Sequence, residues 1–447
     1  MSLSGGCLGR RGAIQDSKEN RLPEPNVKSG TRSTAAILVI LFIIALFLVL
    51  FFSRHVFFVP KIMIICLSLL AAAAVGRLTG FIQDWFAFIG FIYLFDSLRG
   101  SIFILTCQLD LPVYTLYVIK AEKLLFGAVP SIVLQDWLLK SPDPAGFTWL
   151  EKLITVAHGS HFVAFLLVGL FIWLYKGSHF RFYKVSFYLV IFLGLLGYLA
   201  VPTVPPWMAS NIFSLLPRLF RFNAVIFNMV IPDITSGFDT NPVAAMPSLH
   251  AAFPILLGLI LWRIFRWKAF PFHLYVFLML FAIVYTGDHY VVDIIAGGLL
   301  AVLCYAAAIL ITKKDYAANE QNSGGQAVES KSRGRLLRSL IGGVAILSVG
   351  IGVGSYNRQQ FVRYPMAYNL YAPRYVDFFK NETDFQSNFQ VQFYLGSYHF
   401  LRKDFRTAAA YYDKSWKAAR SDEERKRAEG GLEACRKVQG IQPEKSP

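Results

Sequence analysis

The chain has 447 residues, of which 55% are hydrophobic, and its formal net charge at pH 7 is +16. A single soluble domain would not need so much apolar sequence, which argues against that class of protein. Apolar runs of about 20 residues have the length that a helix needs to cross a bilayer. We therefore expect an all-α fold, a polytopic transmembrane helix bundle of about nine spans. The nine runs lie at 34–53, 61–78, 81–98, 150–175, 183–203, 248–267, 270–286, 289–311 and 337–355.

The distribution of the basic residues argues against a nucleic-acid partner. They cluster before the first span and after the fourth, sixth and eighth spans, in loops that alternate along the chain. Because Lys and Arg in short loops mark the cytoplasmic side, these clusters indicate one topology, with the N-terminus in the cytoplasm. The clusters are Arg10, Arg11, Lys18, Arg21, Lys28 and Arg32; Lys176, Arg181 and Lys184; Arg263, Arg266 and Lys268; and Lys313, Lys314, Lys331, Arg333, Arg335 and Arg338.

Polar segments and long loops divide the first three quarters of the chain. Residues 1–32 predict a disordered cytoplasmic tail, because they are polar and carry mixed charge. The membrane catalytic domain is expected at 33–312, with its core at 80–312. Its two outer loops lie at 100–148 and 204–246. The first loop is too apolar for a solvated linker and predicts short helices at the membrane interface.

The last part of the chain is a different kind of sequence. The sequence predicts a flexible cytoplasmic linker at 313–335, followed by the last transmembrane helix at 336–355. It predicts an extracytoplasmic helical domain at 356–447. Between Asn388 and Arg420 a helix, a short turn and a second helix resemble one tetratricopeptide repeat. An ordinary helical hairpin explains the pattern equally well. The expected role of this tail is contact with a protein partner or a surface.

Two short motifs place ionisable residues at the ends of apolar helices. Met-Pro-Ser-Leu-His ends at His250, and Gly-Asp-His-Tyr-Val-Val-Asp contains His289 and Asp293. An ionisable residue inside a membrane span is a functional hypothesis by default. Residues four apart share one face of a helix. The Asp293 carboxylate can therefore accept a hydrogen bond from one imidazole nitrogen of His289 and leave the other nitrogen free to react.

The topology brings further polar residues to the same membrane face. His250 and His289 each begin a span that runs from outside to inside, so both are expected at the outer face. Arg99 ends the third span and reaches that face, with Tyr93 and Asp96 within the two preceding turns.

The sequence around His250 is typical of an anion site. Pro247 is a favourable first helical residue, and a helix start favours an anion. The Ser248 hydroxyl would lie beside it, and Arg99 could grip a phosphate with two hydrogen bonds. His161 shares a helix face with His158 and is a candidate for headgroup contact. Two histidines, a carboxylate and an arginine suit phosphoryl transfer through a histidine.

These motifs resemble a known family. Pro-Ser-Leu-His and His-Tyr-Val-Val-Asp are similar to the second and third signature motifs of the type 2 phosphatidic acid phosphatase superfamily. The Leu before His250, and the absence of Ser-Arg ahead of the last motif, resemble its inositolphosphotransferase branch, which includes inositol phosphorylceramide synthases. Other similar stretches are Asp-Trp at 84–85, Tyr-Leu-Phe-Asp-Ser-Leu-Arg-Gly at 93–100, Phe-Gly-Ala-Val-Pro-Ser-Ile-Val-Leu-Gln at 126–135, His-Phe at 161–162 and Val-Pro-Thr-Val-Pro-Pro-Trp at 201–207.

The resemblance covers roughly residues 80–312 and implies roles for three residues. His289 would be the nucleophile, His250 the general acid, and Asp293 the group that orients His289. The first motif of the superfamily, a Lys followed by Arg-Pro seven residues on, is absent, and Arg99 is our candidate to replace it. The five cysteines show no metal-ligand or disulfide spacing. We expect no cofactor and no metal.

Other polar residues near the motifs have simpler interpretations. His158 is expected to be a structural histidine, and Asp288 to cap the eighth span. Glu122, Arg218 and Arg221 lie in outer loops, where most charges are simply solvated.

The leading hypothesis is a membrane phosphotransferase that moves a phosphate-bearing headgroup, by resemblance inositol phosphate, between lipids at the outer face. A lipid phosphate phosphatase with the same site and a non-enzymatic membrane scaffold are the alternatives. The expected partners are membrane lipid substrates and the bilayer itself. The expected location is a bacterial inner membrane, or the Golgi or endoplasmic reticulum of a eukaryote.

Overall fold

The computed structural model describes residues 58–109, 111, 113–141, 143–211, 215–230, 241–321, 328–363, 389–401 and 403–439. Within these ranges the regular structure consists of helices, and no β-strand is present. The all-α fold predicted from the sequence is confirmed. The predicted tail at 1–32 and the first predicted span at 34–53 lie outside the described residues.

Fifteen α-helices follow one another within the described ranges. The long apolar helices are α1 (Phe58–Ala74), α2 (Leu78–Gln108), α5 (Trp149–Tyr175), α6 (Phe180–Ala200), α9 (Leu249–Phe265), α10 (Phe270–Tyr285), α11 (Val291–Gln321) and α12 (Val328–Arg363). The remaining helices are α3 (Leu116–Phe126), α4 (Pro130–Leu138), α7 (Pro206–Asn211), α8 (Phe222–Val230), α13 (Phe389–Leu401), α14 (Phe405–Ala418) and α15 (Asp422–Val438).

Six helical stretches within the described residues are long and apolar enough to cross a membrane. The protein is therefore an integral membrane protein, but the expected number of nine spans is not confirmed. Helices α9 and α10 form one apolar stretch, Leu249–Tyr285, that is broken at Arg266, whose φ is 54°. The stretches are Leu78–Thr106, Trp149–Tyr175, Gly177–Ala200, Leu249–Tyr285, Val291–Lys313 and Gly334–Asn357.

Helices α11 and α12 both extend into the segment predicted as a linker. Helix α11 runs to Gln321 and α12 begins at Val328. Residues 313–321 contain Lys, Ala, Glu and Gln, which are good helix formers, so local propensity continues the helix beyond the apolar run. The short helices α3 and α4 lie in the loop where short helices were predicted.

Helix α9 lies at the centre of the bundle, in contact with α5, α6, α10 and α11. Its first turn approaches α11 so closely that a side chain at Gly297 would have no room. A Cβ atom there would come within 2.2 Å of the Ser248 carbonyl oxygen. The Ser248 N–H donates to the Asp293 carbonyl oxygen at 3.1 Å. The starts of α9 and α11, which carry the two motifs, are thus held against each other.

Helix α12 packs along α2 and braces it with polar contacts. Asn357 Nδ2 donates to the Ser97 carbonyl oxygen at 2.6 Å, and Ser101 Oγ donates to Asn357 Oδ1 at 2.9 Å. A buried side-chain bond of this kind favours one register of two packed helices, because sliding would leave buried polar groups unsatisfied. The register of α2 matters, because this helix carries Asp96 and Arg99.

Helices α13, α14 and α15 form a small C-terminal helical unit. Tyr412 of α14 packs between Gly396 of α13 and Gly431 of α15, and its hydroxyl donates to Ser397 Oγ at 3.0 Å. The helix–turn–helix between Asn388 and Arg420 is present as α13 and α14. Its assignment as a tetratricopeptide repeat stays a prediction.

Replacing Gly297 by Ala should destabilise the protein, because the added methyl group meets rigid backbone rather than a movable side chain. Overpacking of this kind costs about 1–3 kcal/mol. Gly298→Ala is the matched control, since its Cβ meets only Ile255 Cδ1 at an ordinary 3.4 Å. We expect thermal unfolding of the purified protein in detergent to show a lower Tm for the first variant alone. Equal Tm values for the two variants would contradict the close approach.

Candidate active site

His250 and His289 contact each other at one end of the bundle. His250 Nδ1 lies 3.0 Å from His289 Nε2. His250 is the second residue of α9, while His289 lies two residues before the start of α11. Both side chains are positioned by the backbone contact that joins the two helix starts. The sequence predicted that these residues share a membrane face, and the structure brings them into direct contact.

A backbone carbonyl orients His289. His289 Nδ1 lies 3.0 Å from the Ala245 carbonyl oxygen. A carbonyl oxygen can only accept, so Nδ1 carries the hydrogen and Nε2 keeps a lone pair that faces His250. Nδ1 of His250 then donates to that lone pair. The site therefore holds His289 in the tautomer that a nucleophilic Nε2 requires.

Asp293 lies behind His289 but at a longer distance. Its Oδ2 atom is 3.6 Å from His289 Nδ1, which is an electrostatic contact rather than a hydrogen bond. The same oxygen accepts the backbone N–H of Tyr290 at 2.9 Å. The expected hydrogen bond between His289 and Asp293 is replaced by this longer contact, because His289 lies before the helix and the two residues do not share a helix face. The Ala245 carbonyl, which the sequence did not reveal, is the hydrogen-bond partner.

Ala245 is held in place by an extended segment. Its N–H donates to the Thr203 carbonyl oxygen at 3.2 Å, and the Thr203 N–H donates to the Val243 carbonyl oxygen at 2.7 Å. Thr203 also forms an isolated bridge with Tyr114. Three chain segments that are distant in sequence therefore fix the carbonyl that orients His289.

A cavity of about 290 Å³ opens over the two histidines. Its polar lining comes from Asp96, Arg99, His158, His161, Arg221, Asn223, Asn241, Asp288 and the two histidines. Apolar residues line it one turn along the same helices: Phe95 on α2, Phe165 on α5 and Phe253 on α9. A cavity lined by both polar and apolar side chains fits an amphipathic ligand.

The cavity contains some of the residues predicted as phosphate- or substrate-binding, but not others. Arg99, Asp96 and His161 line it. The ring of His161 lies against the ring of His250, with the centroids 4.2 Å apart and the planes tilted by 44°. Tyr93 is not among the lining residues and instead packs against Gly350 of α12. Ser248 is also not among them, because its hydroxyl accepts the Ala251 N–H and caps α9.

The start of α9 differs from its expected form. Ser248 is the N-cap and Leu249 the first helical residue, so Pro247 precedes the cap instead of opening the helix. A serine at this position is preferred because its side-chain oxygen satisfies an N–H of the first turn. The Ser248 hydroxyl therefore serves the helix, and its contact with phosphate stays a prediction.

Asp288 forms the centre of a second polar cluster on the cavity wall. Its carboxylate accepts from Asn223 Nδ2 at 2.9 Å and from Thr286 Oγ1 at 2.6 Å, and it lies 3.3 Å from Arg221. His158 Nδ1 lies 3.6 Å away. Burial alone would raise the pKa of Asp288, but the electrostatic effects of His158 and Arg221, together with the Thr286 hydrogen bond, outweigh it and the pKa is lowered.

The structure gives several of these polar residues contacts other than a helix cap or simple solvation. Asp288 does not cap α11, which begins three residues later. Arg221 is not simply solvated, because its side chain is 32% exposed and its guanidinium lies 4.1 Å from the centre of the Trp207 ring. Glu122 is fully buried, and its Oε1 accepts the Val292 N–H at 2.9 Å. These contacts join segments far apart in sequence, and no local pattern signalled them.

No group of three or more His, Cys, Asp and Glu side chains within the described ranges is arranged to hold a metal ion. The expectation of a reaction without cofactor stays a prediction.

The chain is similar to two curated proteins. Inositol phosphorylceramide synthase catalytic subunit aur1 of Schizosaccharomyces pombe is 32% identical over 127 residues, which cover 26% of this chain and 29% of the relative. Phosphoinositol dihydroceramide synthase of Bacteroides thetaiotaomicron is 31% identical over 127 residues, which cover 26% of this chain and 41% of the relative. The chain thus matches less than half the length of either relative. No solved structure matches.

A family model described as the PAP2 superfamily matches residues 116–307. This range includes both histidines, Asp293 and the Asp288 cluster, whereas α2 with Asp96 and Arg99 lies outside it. The superfamily is the one that the two motifs resemble, and both relatives belong to the branch suggested by Pro-Ser-Leu-His. Residues 116–307 of this chain are therefore similar to the PAP2 superfamily.

Proposed function

We propose that this protein is a membrane phosphotransferase that moves a phosphate-bearing headgroup from one lipid to another through a phosphohistidine. The observation that carries the proposal is the 3.0 Å contact between His250 Nδ1 and His289 Nε2, in a cavity lined by both polar and apolar side chains. The proposed roles are those that the family resemblance implies: His289 as nucleophile, His250 as general acid and Asp293 behind His289.

In the first step, the phosphate of the donor lipid enters between the two imidazoles. The lone pair of His289 Nε2 attacks phosphorus, and the bond from phosphorus to the lipid oxygen breaks. His250, which carries a hydrogen on both ring nitrogens at the start of this step, donates one proton to that oxygen and becomes a neutral imidazole, so the lipid leaves as a neutral alcohol. Positive charge develops on His289, and the Asp293 carboxylate 3.6 Å from Nδ1 stabilises it.

In the second step, the hydroxyl of an acceptor lipid replaces the departed alcohol. His250, now without its proton, takes the hydroxyl proton, and the acceptor oxygen attacks the phosphorus of phospho-His289. The bond from phosphorus to Nε2 breaks, which regenerates the free imidazole. Splitting the transfer in this way replaces one difficult step with two easier ones.

Arg99 is the proposed partner of the phosphate oxygens. It lines the cavity with the histidines, and a guanidinium can bind a phosphate with two parallel hydrogen bonds. Asn241 Nδ2 donates to the Arg99 carbonyl oxygen at 3.2 Å and ties this part of α2 to the loop before α9. Arg221 adds a second guanidinium, which the Asp288 carboxylate holds at the cavity wall.

The names of both relatives combine inositol phosphate with a ceramide. We therefore propose inositol phosphate as the transferred group and a ceramide-type alcohol as the acceptor. A phosphatase that uses water as acceptor is the second candidate, because the same histidine pair and the same cavity serve both reactions. By the charge rule, we place the site and the C-terminus on the extracytoplasmic side and the N-terminus in the cytoplasm.

The products decide between the two candidates. Purified protein in vesicles, supplied with a phosphoinositide donor labelled in its headgroup and with ceramide, should convert label into a new lipid. Release of labelled water-soluble inositol phosphate at the same rate with and without ceramide would identify a phosphatase. No consumption of any phospholipid or lipid phosphate would contradict both.

His289→Ala should abolish turnover, because it removes the attacking lone pair. Incubation with a donor labelled at phosphorus should trap an acid-labile phosphoprotein in the wild type and none in this variant. His179→Ala is the control, since His179 lies in the turn after α5 and does not line the cavity. Undiminished trapping in His289→Ala would refute the assigned nucleophile.

Arg99→Gln should lower kcat/KM about 10- to 100-fold, since a lost charged hydrogen-bond pair to phosphate costs about 1.5–3 kcal/mol. The control is Arg218→Gln, which removes an exposed arginine that does not line the cavity. Steady-state kinetics with varied donor concentration provide the measurement. If both variants keep the wild-type kcat/KM, Arg99 does not bind the phosphate.

A further inference from the structure

Two buried carboxyl groups meet the start of α11. Glu122 on α3 and Asp293 on α11 are both 0% exposed. Each uses one oxygen to accept a backbone N–H of this helix start: Glu122 Oε1 from Val292 and Asp293 Oδ2 from Tyr290, both at 2.9 Å. Two carboxyl groups therefore bind backbone N–H groups at the start of this helix.

The second oxygen of each carboxyl group has no hydrogen-bond partner in the described part of the chain. These atoms are Glu122 Oε2 and Asp293 Oδ1, and both are inaccessible to solvent. A buried acceptor without a partner destabilises the folded state, and more strongly when it is charged. Two like charges in one dry site also oppose each other, so one of two adjacent carboxyl groups tends to keep its proton.

We propose that Glu122 and Asp293 share one proton, held between Glu122 Oε2 and Asp293 Oδ1, and that Glu122 thereby positions the Asp293 carboxylate behind His289. A protonated carboxyl group gains an O–H donor while its other oxygen still accepts. One proton therefore satisfies both unpartnered oxygens and leaves a single negative charge behind His289. Glu122 is a positioning residue in this arrangement, because it acts on His289 through Asp293.

The electrostatic surroundings of Glu122 agree with this arrangement. Burial raises the pKa of Glu122 to about 7, with a further contribution from the negative charge of Asp293, against the lowering effect of the Val292 and Val291 amides. Lys120 and Lys123 on the same helix are exposed.

In the described part of the chain, Asp293 on α11 is the charged group that acts on the Glu122 carboxyl group. The cluster that α3 shares with the loop after α6 is formed by apolar side chains, among them Val118, Ile119 and Met208, and by the Tyr290 ring. Both carboxyl groups therefore lie in a dry environment, where a shared proton is favoured over two charges.

The shared proton predicts a dependence on pH. Below the unfolded pKa of Glu122, the folded and unfolded states both hold the proton, and its contribution to stability is complete. As the pH rises towards about 7, the unfolded state has lost its proton while the folded state must still keep one, so stability falls. Above about 7 the two carboxylates repel each other, and the start of α11 moves away from α3.

Glu122→Gln tests the proposal, because its amide can accept from Val292 and donate to Asp293 Oδ1 at every pH. We expect the Tm of this variant to rise relative to wild type as the pH increases from about 5 to about 8. Wild-type kcat should fall as the pH rises through about 7, because the start of α11 then moves with His289, and this fall should be absent in the variant. Glu122→Ala should lower kcat at least about fivefold at every pH, since the Asp293 oxygen is then left unpaired.

The control is Lys123→Gln, which changes an exposed residue on the same helix and should leave both profiles as in wild type. An infrared spectrum gives a direct readout: wild type at about pH 6 should show a carboxylic-acid carbonyl band that is missing in Glu122→Gln. The same band in both proteins, or a Tm difference that does not change with pH, would overturn the proposal.

Only the kinetic readout rests on the proposed function. The infrared and Tm measurements need no substrate, so a protein that fails to transfer headgroups would still confirm or overturn the shared proton.

Discussion

The arrangement of the proposed site depends on the close approach of α9 and α11. One backbone hydrogen bond, from the Ser248 N–H to the Asp293 carbonyl oxygen at 3.1 Å, joins their starts. Gly297 makes the approach possible, because any side chain there would overlap the Ser248 backbone. With the two helix starts joined, His250 and His289 come within 3.0 Å of each other, although 39 residues separate them. The histidine contact is therefore a consequence of helix packing.

The surrounding structure controls how the histidines can react. The Ala245 carbonyl fixes the tautomer of His289, and the extended segment around Thr203 fixes the carbonyl. Asp293 supplies negative charge without competing for the hydrogen bond, since it lies 3.6 Å from His289 Nδ1. In a site that excludes water, such fixed groups act strongly on charge that develops during a reaction. The proposed shared proton adds Glu122 to these groups, because it would hold the Asp293 carboxylate in place behind His289.

Local sequence patterns predicted the parts of the structure that depend on local physics. The length of the apolar runs predicted the long helices, and the unusual polar residues in them pointed to His250, His289 and Asp293. The Asp288 cluster and the burial of Glu122 were missed, because they depend on contacts between segments far apart in the chain. Tyr93 and Ser248 were assigned to the site from position alone. In the structure, Tyr93 packs against α12 and Ser248 caps α9.

We propose that transfer proceeds through His289 in two displacements at phosphorus. Each displacement at phosphorus inverts its configuration, so two of them restore it. The most direct test is the stereochemical course of transfer from a donor lipid whose phosphate is chiral through oxygen isotopes or sulfur. Two displacements would give a product with retained configuration, and this is the result that we expect. Inversion would mean that the acceptor attacks the donor directly, and the phosphohistidine would be excluded.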